Sequence, residues 1–168
     1  KGTSWEGGVR EPCFIRWPGH IQAGRDVDRI AQLIDVMPTM LDACGIKPPQ
    51  DVAFDGVSLM PLLTGAIAPA VWPERTIHVQ WHRGDRPEAY RNCASIGQRW
   101  KLVNGKELYD IENDPSETKD LAAEHGEIVD RLRAEYEAWL ADVSSTRGFD
   151  APRIELGENA ISPNTRAD

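Results

Sequence analysis

Two short runs, RWKLV and KELYDI, are joined by Asn104-Gly105, and this junction constrains the fold more than any other feature of the chain. Both residues tolerate the positive φ that a two-residue type I′ turn demands, and that turn matches the twist of paired strands. The junction therefore predicts an antiparallel hairpin. Upstream, TIHVQWH (76–82) and NCASIG (92–97) are enriched in β-branched and aromatic residues and read as two further strands. Downstream, IVDRLRAEYEAWLADV (128–143) places Ile128, Leu132, Tyr136, Trp139, Leu140 and Val143 on one helical face, with charges elsewhere. A sheet of roughly four antiparallel strands with that helix lying on it follows.

The first third is built differently. Residues 1–11 form a glycine-rich loop, and 13–17 (CFIRW) reads as a strand ended by Pro18-Gly19. Ile30 to Ile34 reads as a second strand. Asp35 is placed as a helix N-cap, with Pro38 in the first turn, where a missing amide hydrogen costs little. Met37, Leu41 and Cys44 would share a face, and Gly45 would supply the left-handed stop. Leu59 to Leu63 make a short apolar turn. The expected organisation is an α/β portion over 1–67, a small α+β subdomain over 68–143 and an irregular tail over 144–168.

Composition excludes several classes. Twenty-seven acidic residues against 19 basic give a formal charge of −8 with no basic block, which argues against nucleic acid as a partner. Apolar stretches are interrupted every few residues, so no membrane span is expected. No signal-peptide pattern is visible; the chain opens without methionine inside a glycine-rich loop and reads as starting mid-protein. Cys13, Cys44 and Cys93 lack metal-ligand spacing and read as buried small side chains, one disulfide with a leftover thiol being the alternative.

Among candidate chemical groups, WHRGDRPEAYR (81–91) concentrates Trp81, His82, Arg83, Asp85, Arg86 and Tyr90 between two strands. That composition suits either an anionic ligand or a solvated hairpin loop with internal salt bridges. His78 and His82 would stand roughly 13 Å apart on a strand, too far to share a metal. Asp110, Glu112, Asp114 and Glu117 lack the calcium-loop pattern and read as turn formers. Glu6 and Arg10 read as a charge pair fixing the opening loop, with substrate contact as the alternative. Trp5 is expected to wedge against the sheet.

Taken together, the motifs resemble those of the sulfatase family. KGTSWEGGVREPCFIRWPG resembles the family's lysine-led GKGTxxEGGxRxP loop running into WPG, and DVMPTMLDACG its D-x-x-PT helix. FDGVSLMPLLTG resembles its DGxSLxPLLxG turn, and RWKLVNGKELYDIENDPSETKDLA its C-terminal hairpin. The resemblance covers roughly residues 1–143. It implies a partial alkaline-phosphatase-like fold and the C-terminal segment of an enzyme that hydrolyses sulfate esters. It also implies that Lys1 is the catalytic lysine that reaches the sulfate group. Its ammonium would bond a sulfate oxygen and offset charge on the leaving oxygen. Trp81, His82 and Arg83 would then join Lys1 in binding a sulfated small molecule or sulfated carbohydrate.

The family's formylglycine arises in a C/S-x-P-x-R motif that none of the three cysteines here matches, and its calcium ligands lie mostly upstream. The resemblance therefore implies calcium and formylglycine for a parent protein, with this segment alone inactive. It further implies a periplasmic, secreted or lysosomal setting, although no address is legible. Two alternatives stay open: a phosphodiesterase or phosphonate hydrolase of the same superfamily, and a non-catalytic carbohydrate-binding module. If residues 13–45 normally cover a larger sheet, an unpaired edge and an apolar face are left exposed, and self-association is expected.

Overall fold

The computed structural model describes residues 2–82 and 87–147. Its sheet is an antiparallel meander of β1 (Ile77–Gln80), β2 (Cys93–Ile96), β3 (Trp100–Val103) and β4 (Glu107–Asp110), in the order β1-β2-β3-β4. The hairpin forms where Asn-Gly predicts it. Asn104 and Gly105 have φ of +50° and +64°, and the Lys106 N–H donates to the Val103 carbonyl at 2.9 Å. Pairing sets Val103 opposite Glu107, so three residues rather than two lie in the loop. Asn104 is shared with β2: its N–H donates to Cys93 O at 2.9 Å, and its Oδ1 accepts from the Cys93 N–H at 3.2 Å.

Strand alternation divides the core into two layers. On one face, Leu102 and Leu108 pack against Val129 and Leu132 of the long helix, with Trp100 and Ile128 alongside. On the other face, Ala94, Ile96, Val103 and Tyr109 gather Ile77, Val79, Ile111 and Val9. That helix, α4, spans Gly126–Arg147 and so runs past the predicted end at 143. Its buried stripe is Val129, Leu132 and Tyr136, shifted toward its N-terminus from the predicted face. Val143 is exposed, because the four short strands end before the helix does.

Other segments bond to both edge strands. Leu121 N–H donates to Leu108 O at 2.8 Å and Leu108 N–H to Asp120 Oδ1 at 3.0 Å, which occupies the edge of β4. Gln32 Nε2 reaches His78 O at 3.3 Å beside β1.

The first third departs from expectation. A single turn, α1 (Glu6–Val9), interrupts the opening loop. Residues 13–17 form no strand, because a strand exists only by bonding to a neighbour and the described residues supply none there. Ile30 to Ile34 is likewise not a strand; Leu33–Asp35 is a 3₁₀ turn leading into α2 (Val36–Ala43). Helix α2 ends as predicted. Gly45 sits at φ +66°, and its N–H bonds Asp42 O while that of Ile46 bonds Leu41 O, the Schellman arrangement. Helix α3 (Met60–Thr64) ends on Gly65 at φ +80°.

Asp35 holds the N-cap position of α2 without capping it. Its carboxylate is fully buried and points away, into a bidentate pair with Arg75 (Nη1 to Oδ1 2.8 Å; Nη2 to Oδ2). It also accepts from Gln32 N–H at 2.8 Å and Val57 N–H at 2.9 Å. Gly56 makes that approach possible, since a Cβ there would lie 2.1 Å from Ile34 O. Thr39 Oγ1 completes the tie, donating to Asp35 O at 2.6 Å and accepting from Leu59 N–H at 2.9 Å.

Around this clamp the surface is apolar and uncovered. Phe14 is 93% exposed and Leu33 87%, and Met37, Met40 and Ile46 are also exposed. Of the residues expected to share a face of α2, Met37 and Cys44 are exposed and Leu41 is half-buried. Of the cysteines, only Cys93 is buried; Cys13 and Cys44 are exposed, and all three are free thiols. Among the described residues no helix is long and apolar enough to cross a membrane.

Burial pushes the Asp35 carboxyl up, but the Arg75 guanidinium and two backbone N–H groups outweigh it and hold the pKa below its ordinary 3.8. A depressed carboxyl stabilises the fold fully above its unfolded pKa, and the contribution fades as pH falls through the folded value. Asp35→Asn is expected to cost about 3–5 kcal/mol at neutral pH, with the gap to the parent chain closing in acid; urea titrations across pH measure it. Sedimentation velocity of the isolated chain is expected to show concentration-dependent association through the apolar side chains, not a sheet edge. A Phe14→Ser, Met37→Ser, Met40→Ser variant is expected to abolish it.

Candidate functional site

The lysine-led loop lies across the sheet face opposite α4. Its fixing point is Glu6. Glu6 Oε1 accepts from Lys101 Nζ at 2.9 Å, and the Glu6 backbone N–H donates to Glu117 Oε2 at 2.7 Å. Lys101 Nζ also lies 2.7 Å from Glu117 Oε1, and the Lys101 side chain is 0% exposed. An ammonium in such a place needs compensating carboxylates, and here it has two. Arg10, by contrast, is solvated and stands 3.8 Å from Glu6. The expected Glu6–Arg10 pair is therefore peripheral, and Lys101 is the partner that matters.

Local geometry supports this placement. Trp5 meets Tyr109 of β4 edge-to-face at 5.4 Å, as a residue wedged against the sheet should. Gly8 turns tightly enough that a Cβ would fall 2.4 Å from Thr3 O. The NDPSETKD turn aims Glu117 inward. Asp114 accepts from Thr118 N–H at 2.7 Å and Lys119 N–H at 2.9 Å, while Glu117 takes a left-handed φ of +54°. Asp110 is bound by Arg99 (Nε 3.0 Å, Nη2 2.7 Å). That guanidinium holds the Asp110 carboxyl below its ordinary range.

Motif and spacing do not single out Lys101 and Glu117 as functional. The signal available in the sequence is parity: Lys101 shares its strand face with Val103, and a lysine on an inward strand face calls for an anion.

Lys1 itself lies outside the described residues, as does Arg83. Trp81 follows β1 directly, its N–H donating to Asn92 O at 3.0 Å, and it is half-exposed. Alternation puts Trp81 on the side of Ile77 and Val79, the side that the 2–10 loop covers. His82 is exposed.

The return of that loop is tied to α4. Tyr136 Oη donates to Gln80 Oε1 at 2.6 Å and accepts from the Tyr90 N–H at 3.2 Å. Tyr90 Oη donates to Glu137 Oε1 at 2.5 Å; burial and then that carboxylate push the phenol up to about 12. Gly105 has a second duty here, since a Cβ would lie 2.4 Å from the Tyr90 ring.

His78 is structural. Its ring stacks on Trp139 at 5.4 Å with Nδ1 3.0 Å from Ser95 Oγ, and burial pulls its pKa below 6.5 against the pull of Glu135. Among the described residues no group of three or more His, Cys, Asp or Glu side chains could hold a metal ion.

The family model described as N-sulphoglucosamine sulphohydrolase, C-terminal, matches residues 1–142. Steryl-sulfatase of Mus musculus is 32% identical over 184 residues, covering 91% of this chain and 29% of its own length. N-acetylgalactosamine-6-sulfatase of Homo sapiens is 37% identical over 114 residues, covering 65% of this chain and 20% of its own. The chain thus spans between a fifth and three-tenths of these relatives.

Two solved structures share its fold. One is BT4656 in complex with its substrate D-glucosamine-2-N,6-O-disulfate, with TM-score 0.59 and 24% identity over 82% of this chain and 29% of that one. The other is Ps i-CgsB, with TM-score 0.60 and 26% identity over 73% of this chain and 27% of that one.

Lys101→Met leaves Glu6 and Glu117 facing each other without a cation and is expected to lower stability by about 3–5 kcal/mol. Replacing all three residues by apolar ones is expected to recover most of that loss. Chemical denaturation of the two variants side by side reads both numbers.

Proposed function

The chain belongs to the sulfatase family, and from that membership we propose that it is the C-terminal part of an enzyme hydrolysing sulfate esters. The observation that carries the reading is the family match over residues 1–142, joined to a lysine-led loop built into the sheet through Glu6. Sulfatases have an alkaline-phosphatase-like fold, to which this chain contributes the small sheet, its helix and the loop.

Lys1 is assigned the catalytic role. A compact ammonium donates to a sulfate oxygen and offsets the negative charge that grows on the leaving oxygen as the S–O bond breaks. Trp81 is assigned to the substrate's ring, where its exposed indole offers a flat apolar surface beside the loop. His82 and Arg83 are assigned to its anionic groups. The substrate class is a sulfated sugar or another small sulfate ester; similarity to an N-acetylgalactosamine-6-sulfatase supports the sugar.

The calcium and formylglycine implied by family membership do not fit this chain's own residues. The described residues offer no metal-ligating cluster, and no cysteine stands in a C/S-x-P-x-R motif. Their chemistry is therefore assigned to the remainder of the enzyme, and no step is derived through them.

The test is hydrolysis of 4-nitrocatechol sulfate and a matched phosphate diester by this chain and by the extended gene product. Calcium and the formylglycine-generating enzyme are supplied to both. The extended protein is expected to cleave the sulfate, this chain neither ester. Lys1→Ala in the extended protein is expected to lower kcat/KM by about 10²–10³-fold. Preference for the diester would assign the reaction to a phosphodiesterase instead.

A further inference from the structure

We propose that Glu6, Lys101 and Glu117 are positioning residues for the reaction assigned to Lys1, holding the 2–10 loop that follows it in one register against the sheet. The inference rests on the sulfatase reading above, because it is the role of Lys1 there that gives the loop something to position.

The geometry singles out this cluster. Glu117 uses both carboxylate oxygens, one on the buried ammonium at 2.7 Å and one on the backbone N–H of Glu6 at 2.7 Å. It therefore fixes the loop's main chain as well as a side chain. Lys101 then ties the Glu6 carboxylate to β3 at 2.9 Å.

Packing alone would hold a loop here. Trp5 rests on Tyr109, and Val9 joins the cluster of Ala94, Ile96, Val103 and Tyr109. Apolar contacts, however, are non-directional and permit sliding, whereas the hydrogen bonds from Lys101 Nζ to Glu6 Oε1 and from the Glu6 N–H to Glu117 Oε2 are directional and favour one register. Buried ion clusters are also commonly replaceable by apolar residues without loss of stability, so stability alone does not call for one at this place. Glu117 adopts a left-handed φ to reach its partners, and strain of that kind concentrates at functional positions. Lys1 lies five residues upstream of Glu6 in sequence. Displacing a catalytic group by about 1 Å can lower its rate by about 10²-fold.

The test uses the complete protein with Glu6→Gln and Glu117→Gln, each alone and on a Lys1→Ala background. In each single variant, amide exchange across residues 2–10 is expected to quicken by about tenfold or more, while Ala94 and Leu102 keep their protection. With Lys1 present, kcat for 4-nitrocatechol sulfate is expected to fall by about 100-fold, with KM within about twofold. On the Lys1→Ala background the same changes are expected to lower kcat by less than about twofold, because the group they position is gone.

Unchanged exchange in the loop overturns the proposal. So do equal losses of kcat on both backgrounds, which would mark a general structural role. A wild-type protein that leaves sulfate esters intact overturns the function proposed above and the catalytic part of this inference with it. In that case the exchange data still decide whether the cluster holds the loop.

Discussion

A lysine with no exposed surface at the centre of a four-stranded sheet is the constraint on which this structure turns. A buried ammonium needs carboxylates beside it, and the two beside Lys101 come from distant parts of the chain, Glu6 and Glu117. One buried cation thus requires the opening loop, the central strand and the turn after the hairpin to converge. The acidic turn at 110–117, which invites comparison with a calcium loop, delivers a counter-ion to the interior and holds its own shape with Asp114 and Asp110.

A second buried pair does similar work in the first third. Asp35 accepts from Arg75 and from the backbone of Gln32 and Val57, joining the D-x-x-PT helix, the DGVSL turn and the segment entering β1. Motifs that stand apart in sequence are here one another's hydrogen-bond partners. The two regions still differ in covering. The sheet and α4 enclose a core around Leu102, Leu108, Val129 and Leu132, whereas Phe14, Leu33, Met37 and Met40 face outward. The chain covers 29% of the length of the mouse steryl-sulfatase that it matches.

The hairpin was legible because Asn104-Gly105 is chemically committed to positive φ, and α4 because its apolar spacing has one helical solution. The stop of α2 was legible in Gly45 for the same reason as the hairpin. The strand expected at 13–17 was not realised, since alternation describes a willingness to pair and says nothing of whether a neighbour exists. Asp35 occupies the position that local rules assign to a helix cap, yet its carboxylate serves elsewhere. Arg75, forty residues on, decides where that carboxylate points, and no local rule reaches so far.

The sequence by itself determined the local elements of the sheet and helix, the turn at 104–105 and the family signature with Lys1 at its head. Those follow from φ preferences, side-chain periodicity and motif order, all of which act over a few residues. Only the tertiary structure decided that Glu6 belongs to Lys101 rather than to Arg10, that Glu117 bonds the loop's backbone, and that His78 is a packed ring beside Trp139. Burial explains the difference: a charge four residues away in solvent is weakly coupled, while an ammonium excluded from water is bound to whichever carboxylates the fold brings to it.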